Sequence, residues 1–136
     1  MTGTLVDAGP LVALLDRSDH HHAACVAAAR TLPAPLLSVW PVVTEAMYLL
    51  GDSWVAQRAL LAEVIDGTLK LLPLGPDDVR RIRQLMEKYR DLPMDLADAS
   101  LVAVGERERV VRVFTLDRRD FSVYRPARLG RFDIVP

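Results

Sequence analysis

The chain has 136 residues, of which 51% are hydrophobic and 26% charged, and its formal net charge is −1. A chain of this length can bury about two-thirds of its unfolded surface, so we expect residues 1–136 to form a single domain. The near-neutral charge excludes a protein that attracts nucleic acid through its overall positive charge. The longest uncharged stretch, residues 31–44, contains three prolines and is too short to span a membrane.

Cysteine content and the amino-terminal residues bear on the cellular compartment. The single cysteine, Cys25, cannot form an internal disulfide, which is typical of a reducing environment. Residues 1–7 lack the basic start and long apolar run of a signal peptide. Together these features predict a cytoplasmic protein that does not associate with a membrane.

The predicted elements alternate between strands and helices. Residues 4–6 form a short apolar run that ends at Asp7, and a helical pattern follows over residues 11–16. A buried strand followed directly by a helix is typical of a parallel α/β sheet. Further strands are predicted at residues 36–39, 69–74, 110–116 and 131–135. Helices are predicted at residues 20–32, 41–51, 54–66, from 76 or 77 onwards, and 94–104. Residues 118–121 are predicted to be a loop or short turn.

Five acidic residues stand in apolar surroundings within this pattern. Asp7 and Asp117 each follow a strand, Glu45 is the only charge in its helix, and Asp95 and Asp98 open an apolar helix. Ligands of open α/β sheets bind at the carboxyl ends of the strands, where these side chains could meet. Two simpler readings remain open: Asp7 caps the next helix, and Glu45 forms one ion pair with an arginine.

Several carboxylates in one pocket would repel each other unless a cation lies between them. Hard oxygen ligands suit Mg²⁺ or Mn²⁺, and such sites hydrolyse phosphodiesters with a metal-activated water. Other chemistry is poorly supported. His20, His21 and His22 are adjacent and cannot bind one ion from a helix. A phospho-acceptor receiver would need a late lysine, but none follows Lys88; a haloacid-dehalogenase-like phosphatase would need an Asp at position 9, which is Gly9.

Eight arginines lie between Arg107 and Arg131, against three acidic residues. This segment either guides a phosphate backbone or is an ordinary solvated surface in a protein that favours arginine over lysine. Both readings are open.

Four segments, in order, resemble the motifs of the PIN-domain family, and in particular its small VapC-type toxins. They are Leu5-Val6-Asp7-Ala8-Gly9-Pro10-Leu11-Val12, Val43-Thr44-Glu45-Ala46, Leu96-Ala97-Asp98-Ala99-Ser100-Leu101 and Phe114-Thr115-Leu116-Asp117-Arg118-Arg119-Asp120-Phe121. The resemblance implies a three-layer α/β/α fold with a mostly parallel sheet of about five strands. It also implies a Mg²⁺- or Mn²⁺-dependent endoribonuclease that forms a homodimer and is inhibited by a cognate antitoxin.

The same resemblance assigns roles to individual residues. Asp7, Glu45, Asp98 and Asp117 match the acidic quartet: Asp7 and Asp98 would be the principal metal ligands, and Glu45 and Asp117 would bind through water or hold a second ion. Asp95 would be accessory, and Asp120 would be structural. Many relatives have a hydroxyl residue directly after the first Asp, but this chain has Ala8, so Thr115 or Ser100 would supply any hydroxyl. The alternatives are a PIN-like binding module without turnover and a stand-alone nuclease without an antitoxin.

Overall fold

The computed structural model describes residues 2–136, which form five strands and seven helices. Met1, the first residue of the predicted domain, lies outside the described residues. The strands are β1 (Thr4–Val6), β2 (Leu36–Ser38), β3 (Leu69–Leu71), β4 (Arg112–Phe114) and β5 (Asp133–Val135). The helices are α1 (Ala8–Leu15), α2 (His22–Thr31), α3 (Trp40–Leu49), α4 (Trp54–Asp66), α5 (Pro76–Lys88), α6 (Leu96–Glu108) and α7 (Arg118–Val123).

The strands form one sheet in the order β3-β2-β1-β4-β5, and every pair is parallel. From β1 the chain adds β2 and then β3 on one side of β1. It then adds β4 and β5 on the other side. The boundary between β1 and β4 is therefore a topological switch point, where open α/β sheets bind their ligands. The predicted parallel sheet of about five strands is confirmed.

Helices cover both faces of the sheet, as the predicted three-layer α/β/α architecture requires. Right-handed crossovers place the connections β1–β2 and β2–β3 on one face and the connections β3–β4 and β4–β5 on the other. Most helix contacts agree, because α1 packs on α2, α3 and α4, whereas α5 packs on α6. Helices α3 and α6, from opposite groups, also contact each other. Within residues 2–136, no helix is long and apolar enough to cross a membrane.

Helix α6 is the most deeply buried helix. Every residue from Ala97 to Gly105 is buried, as its apolar sequence predicted. Gly105 allows the close approach to the sheet, since a Cβ atom there would lie 3.0 Å from Leu5 in β1 and from the Val110 carbonyl oxygen. The tight packing fixes the entry turn of α6, and with it Asp98, relative to the end of β1.

Several boundaries differ from the predicted ones. Helix α2 begins at His22, after the predicted start, because the Asp19 carboxylate accepts a hydrogen bond from the His21 amide (2.8 Å) and holds a turn. Strands β3 and β4 are three residues long because their ladders with the equally short neighbouring strands end there. The predicted loop at 118–121 is wrong: these residues belong to α7.

Candidate active site

Three helices begin at the same edge of the sheet, and each has an aspartate as its N-cap. Asp7 caps α1, Asp95 caps α6 and Asp117 caps α7. The unpaired amide groups and the dipole at a helix N-terminus favour negative charge. The fold therefore stabilises several carboxylates at this edge, which would otherwise be costly to bring together.

Asp7 is held by two hydrogen bonds and is 8% exposed. The Ala8 amide donates to its Oδ1 (2.8 Å), and the Thr115 hydroxyl donates to its Oδ2 (2.8 Å). Thr115 also accepts a hydrogen bond from the Asp117 amide (3.0 Å), so it connects the ends of β1 and β4. Asp7 is thus both a helix cap and a residue of the site. Thr115 contributes the hydroxyl that position 8 lacks, whereas the Ser100 hydroxyl is buried without a hydrogen-bond partner among the described residues.

Asp98 and Asp95 differ in burial although they lie three residues apart on α6. Asp95 is exposed and accepts a hydrogen bond from the Asp98 amide (2.8 Å) as the N-cap. Asp98 is 9% exposed, and the Tyr124 hydroxyl donates to its Oδ2 (2.7 Å). Asp95, one turn earlier than Asp98, is therefore the one nearer to solvent.

Asp120 belongs to this site, although its place in the sequence motif suggested a structural role. Its amide donates to Asp117 Oδ1 (3.1 Å), which places it in the first turn of α7. Oxygen atoms of Asp98, Asp117 and Asp120 all lie within 4.8 Å of one another. The sequence carried a signal for this: Asp117 and Asp120 repeat the three-residue spacing of Asp95 and Asp98. The prediction of a loop obscured it, because only a helix puts both side chains on one face.

One cavity of about 470 Å³ gathers all the predicted acidic residues. It is lined by the carboxylates of Asp7, Glu45, Asp95, Asp98, Asp117 and Asp120, with Ala8, Gly9, Leu49, Pro93 and Leu116. Glu45 is half-buried in α3 on one side of it. No ion pair links any of the six carboxylates to an arginine or lysine within residues 2–136, so the reading of Glu45 as one half of an arginine ion pair is wrong.

Burial and mutual repulsion raise the pKa of four of these groups. Burial is the largest cause for Asp98, whose pKa rises to about 8, and the charge of Asp7 adds to it. Burial also raises the pKa of Asp7, against the opposing hydrogen bonds from Thr115 and Ala8. The pKa of Glu45 is raised by burial and by the charges of Asp95 and Asp7. For Asp120, burial and then its proximity to Asp117 raise the pKa.

This donor set suits a hard divalent cation. Carboxylate oxygens are the ligands that Mg²⁺ and Mn²⁺ prefer. Two oxygens on opposite sides of one Mg²⁺ are about 4.2 Å apart, close to the 4.8 Å limit that contains the oxygens of Asp98, Asp117 and Asp120. The raised pKa values point the same way, because a cation would relieve the repulsion that now favours protonation.

The arginine-rich segment is divided between two ends of the molecule. Arg118 and Arg119 are exposed at the start of α7, between Asp117 and Asp120, where they could contact a phosphate backbone. Arg107 and Arg112 instead pair with Asp78 and Asp133 away from the cavity. The histidines also lie elsewhere, and His22 Nδ1 lies 2.7 Å from the Ala13 carbonyl oxygen.

Comparison with known proteins places this chain in a family. The PIN-domain profile matches residues 4–126. The chain is 34% identical to "Ribonuclease VapC26" of Mycobacterium tuberculosis, over 97% of this chain and 99% of that protein.

Solved structures share the fold at low sequence identity. VapC20 of Mycobacterium tuberculosis, described as a sarcin–ricin-loop-cleaving toxin, superposes with a TM-score of 0.79 at 17% identity, covering 85% of this chain and 91% of VapC20. A toxin–antitoxin complex from Klebsiella pneumoniae gives 0.72 at 20% identity, covering 98% of this chain and 96% of that one. VapBC2 from Rickettsia felis, bound to promoter DNA, gives 0.63 at 10% identity over the whole of both chains. The chain therefore belongs to the PIN-domain family and, within it, to the VapC-type ribonucleases.

Proposed function

We propose that this chain hydrolyses RNA phosphodiester bonds at the cavity between α1, α3, α6 and α7, with Mg²⁺ or Mn²⁺ as cofactor, as the toxin of a toxin–antitoxin pair. The single observation that carries the proposal is the convergence of six carboxylates in one cavity, without an arginine or lysine partner among residues 2–136. The 34% identity to a VapC ribonuclease supports the reaction class.

The residues would divide the work of metal binding between them. Asp98, Asp117 and Asp120 would hold the cation, since their oxygens form the tightest group. Asp7 and Glu45 would complete the site, either as further ligands or through water, and Asp95 would act as an accessory group at its rim. When bound, the cation would neutralise these charges, polarise the phosphodiester and activate the attacking water.

The chain's own side chains would orient the reacting groups. Thr115 fixes Asp7 and the start of α7 with two hydrogen bonds, and helix N-termini compensate the accumulated negative charge. Glu45 is half-buried at the cavity wall and its pKa is raised, and we propose that it takes up a proton there. In the proposed cleavage a metal-activated water is the nucleophile, so no covalent enzyme intermediate forms.

The substrate we propose is single-stranded or looped RNA. Its phosphodiester must approach Asp7 and Asp98, which are buried in the cavity, and unpaired segments can present an isolated phosphodiester to such a recess. Arg119 is exposed in the first turn of α7, between Asp117 and Asp120, and would contact the adjoining phosphates. Arg118 is exposed there too, but its guanidinium donates to the Pro136 carbonyl oxygen.

The test compares the native chain with Asp98→Asn in Mn²⁺-dependent cleavage of a labelled RNA. We expect a loss of at least about 100-fold, since even residues that only support metal ligands are worth 10–100-fold. Asp133→Asn is the matched control, because Asp133 is an exposed aspartate that pairs with Arg112 away from the cavity. Equal cleavage by native and Asp98→Asn proteins would refute the site.

Two partners follow from the proposal: a cognate antitoxin and a second copy of the chain. Two solved structures with this fold contain toxin–antitoxin assemblies, which supports an antitoxin for this chain. An adjacent small reading frame for a DNA-binding protein would favour the toxin role over a stand-alone nuclease. A binding module without turnover would instead show no Mn²⁺ uptake at millimolar metal in calorimetry.

A further inference from the structure

We propose that Tyr124 is a positioning residue that fixes the Asp98 carboxylate in the orientation needed to bind the metal. This inference rests on the proposed metal-dependent function. Tyr124 is fully buried at the end of α7, and its hydroxyl donates to Asp98 Oδ2 at 2.7 Å. The two residues are 26 positions apart in sequence, so the contact joins α6 to α7.

The orientation of a buried aspartate is not determined by its own backbone. The last torsion of an Asp side chain is broad and roughly two-fold, so the carboxylate can rotate unless a partner selects one orientation. The hydrogen bond from Tyr124 occupies Oδ2, and Oδ1 accepts no hydrogen bond from the other residues described. Oδ1 therefore stays available to a cation in the cavity.

The position of the Tyr124 hydroxyl is itself fixed by packing. Its ring makes edge contacts with Tyr89 (centroids 5.2 Å apart) and Phe121 (5.1 Å). Phe121 in turn contacts Phe132 at 5.8 Å. Such edge-to-face arrangements favour one ring orientation. A rigid aromatic group thus presents a single neutral donor to Asp98.

Tyr124 also links the two aspartate-bearing helix starts. Its amide donates to the Asp120 carbonyl at the end of α7, while its hydroxyl reaches Asp98 at the start of α6. Asp98, Asp117 and Asp120 therefore keep their spacing partly through this one side chain. A neutral donor can do this without cancelling the negative charge that the metal requires.

The test is Tyr124→Phe, which removes the hydroxyl and keeps the ring. Tyr89→Phe is the matched control, because the Tyr89 hydroxyl accepts from the Arg125 amide (2.9 Å) and does not touch Asp98. Mn²⁺ affinity is measured from the electron paramagnetic resonance signal of free Mn²⁺, and thermal unfolding is recorded for all three proteins. We expect Tyr124→Phe to bind Mn²⁺ 10–100-fold more weakly and Tyr89→Phe to bind it as the native chain does.

Two results would overturn the positioning role alone: native-like Mn²⁺ affinity in Tyr124→Phe, or an equal loss in both variants, which would indicate general loosening of the aromatic cluster. A native chain that neither binds Mn²⁺ nor cleaves RNA would overturn the proposed function and this inference with it. Measurements on the native protein thus distinguish a failure of the positioning role from a failure of the proposed function.

Discussion

Asp98 shows at the scale of one residue how burial makes a carboxylate favour a proton or a nearby cation. It opens a helix whose next residues are entirely buried, and its side chain is 9% exposed. A charged carboxylate without a partner is expensive there. Its pKa of about 8 is the consequence, caused first by burial and then by Asp7. Without metal, much of the Asp98 population would carry a proton at neutral pH.

This pKa makes the stability of the metal-free protein depend on pH. Folded Asp98 keeps its proton to a higher pH than the unfolded chain does, so the free energy of unfolding falls as pH rises from about 4 to about 8. The effect is on the order of a few kcal/mol. The measurement is denaturant unfolding in a chelator at pH 5 and pH 8 for the native chain and Asp98→Asn.

We expect the native chain to lose more stability than Asp98→Asn over this interval. Carboxylates remote from the cavity, such as Glu106 with its lowered pKa beside Arg81, contribute equally to both proteins and cancel in the difference. A parallel pH dependence in the two proteins would contradict the burial of an unpaired Asp98.

At the scale of elements, the site is a meeting of helix N-termini. Helices α1, α6 and α7 start at one sheet edge, and α6 and α7 both carry aspartates at the N-cap and three residues later. In both helices the amide three residues after the N-cap donates to the N-cap carboxylate. The Asp98 amide donates to Asp95, and the Asp120 amide donates to Asp117. The repeated local arrangement places two pairs of carboxylates face to face once the sheet brings the helices together.

Helix α7 therefore contributes carboxylates to the cavity as well as connecting β4 to β5. The variant Asp120→Asn tests whether these carboxylates bind a metal. We expect Mn²⁺ affinity to fall by about 10-fold or more, because the variant removes one charged oxygen ligand from the tightest group. Calorimetric titration with Mn²⁺ measures the change. Asp77→Asn is the control, since Asp77 lies in the first turn of α5 and is fully solvated. Unchanged affinity in Asp120→Asn would return Asp120 to the structural role suggested by its sequence motif.

At the scale of the whole molecule, apolar surface is concentrated on the α3–α4 pair. Tyr48, Trp54, Val55 and Ile65 are all more than 60% exposed. Large exposed apolar patches on soluble proteins commonly mark interfaces. We predict that the homodimer implied by the PIN-type motifs forms through the apolar patch between residues 41 and 66. The single-domain organisation and the cytoplasmic location likewise stay predictions.

Replacing both Val55 and Ile65 with Lys is expected to convert the predicted homodimer into a monomer, because two charges would have to be desolvated in the interface. Sedimentation velocity at micromolar concentration measures the change. Val79→Lys serves as the control: Val79 is 56% exposed but lies on α5, on the other face of the sheet. A native chain that sediments as a monomer would contradict the predicted face.

Local sequence patterns were enough to predict the parallel sheet, the buried helix α6 and the acidic quartet Asp7, Glu45, Asp98 and Asp117. These features depend on local patterns: apolar runs that end at an acid, and single charges in apolar helices. The PIN-type motifs added their order along the chain. The site roles of the quartet remain proposals that the Asp98→Asn experiment addresses.

The other groups that surround those acids could be identified only from the contacts between distant elements. Thr115 reaches Asp7 across 108 residues, and Tyr124 reaches Asp98 across 26. No local pattern encodes such contacts, since they depend on β4 pairing with β1 and on α7 packing beside α6. Asp120 could not be assigned to the site from the sequence either. Its side chain lies on the same face as Asp117 only because residues 118–123 form a helix. Local sequence thus fixes where a carboxylate begins an element, whereas the packing of distant elements fixes what that carboxylate faces.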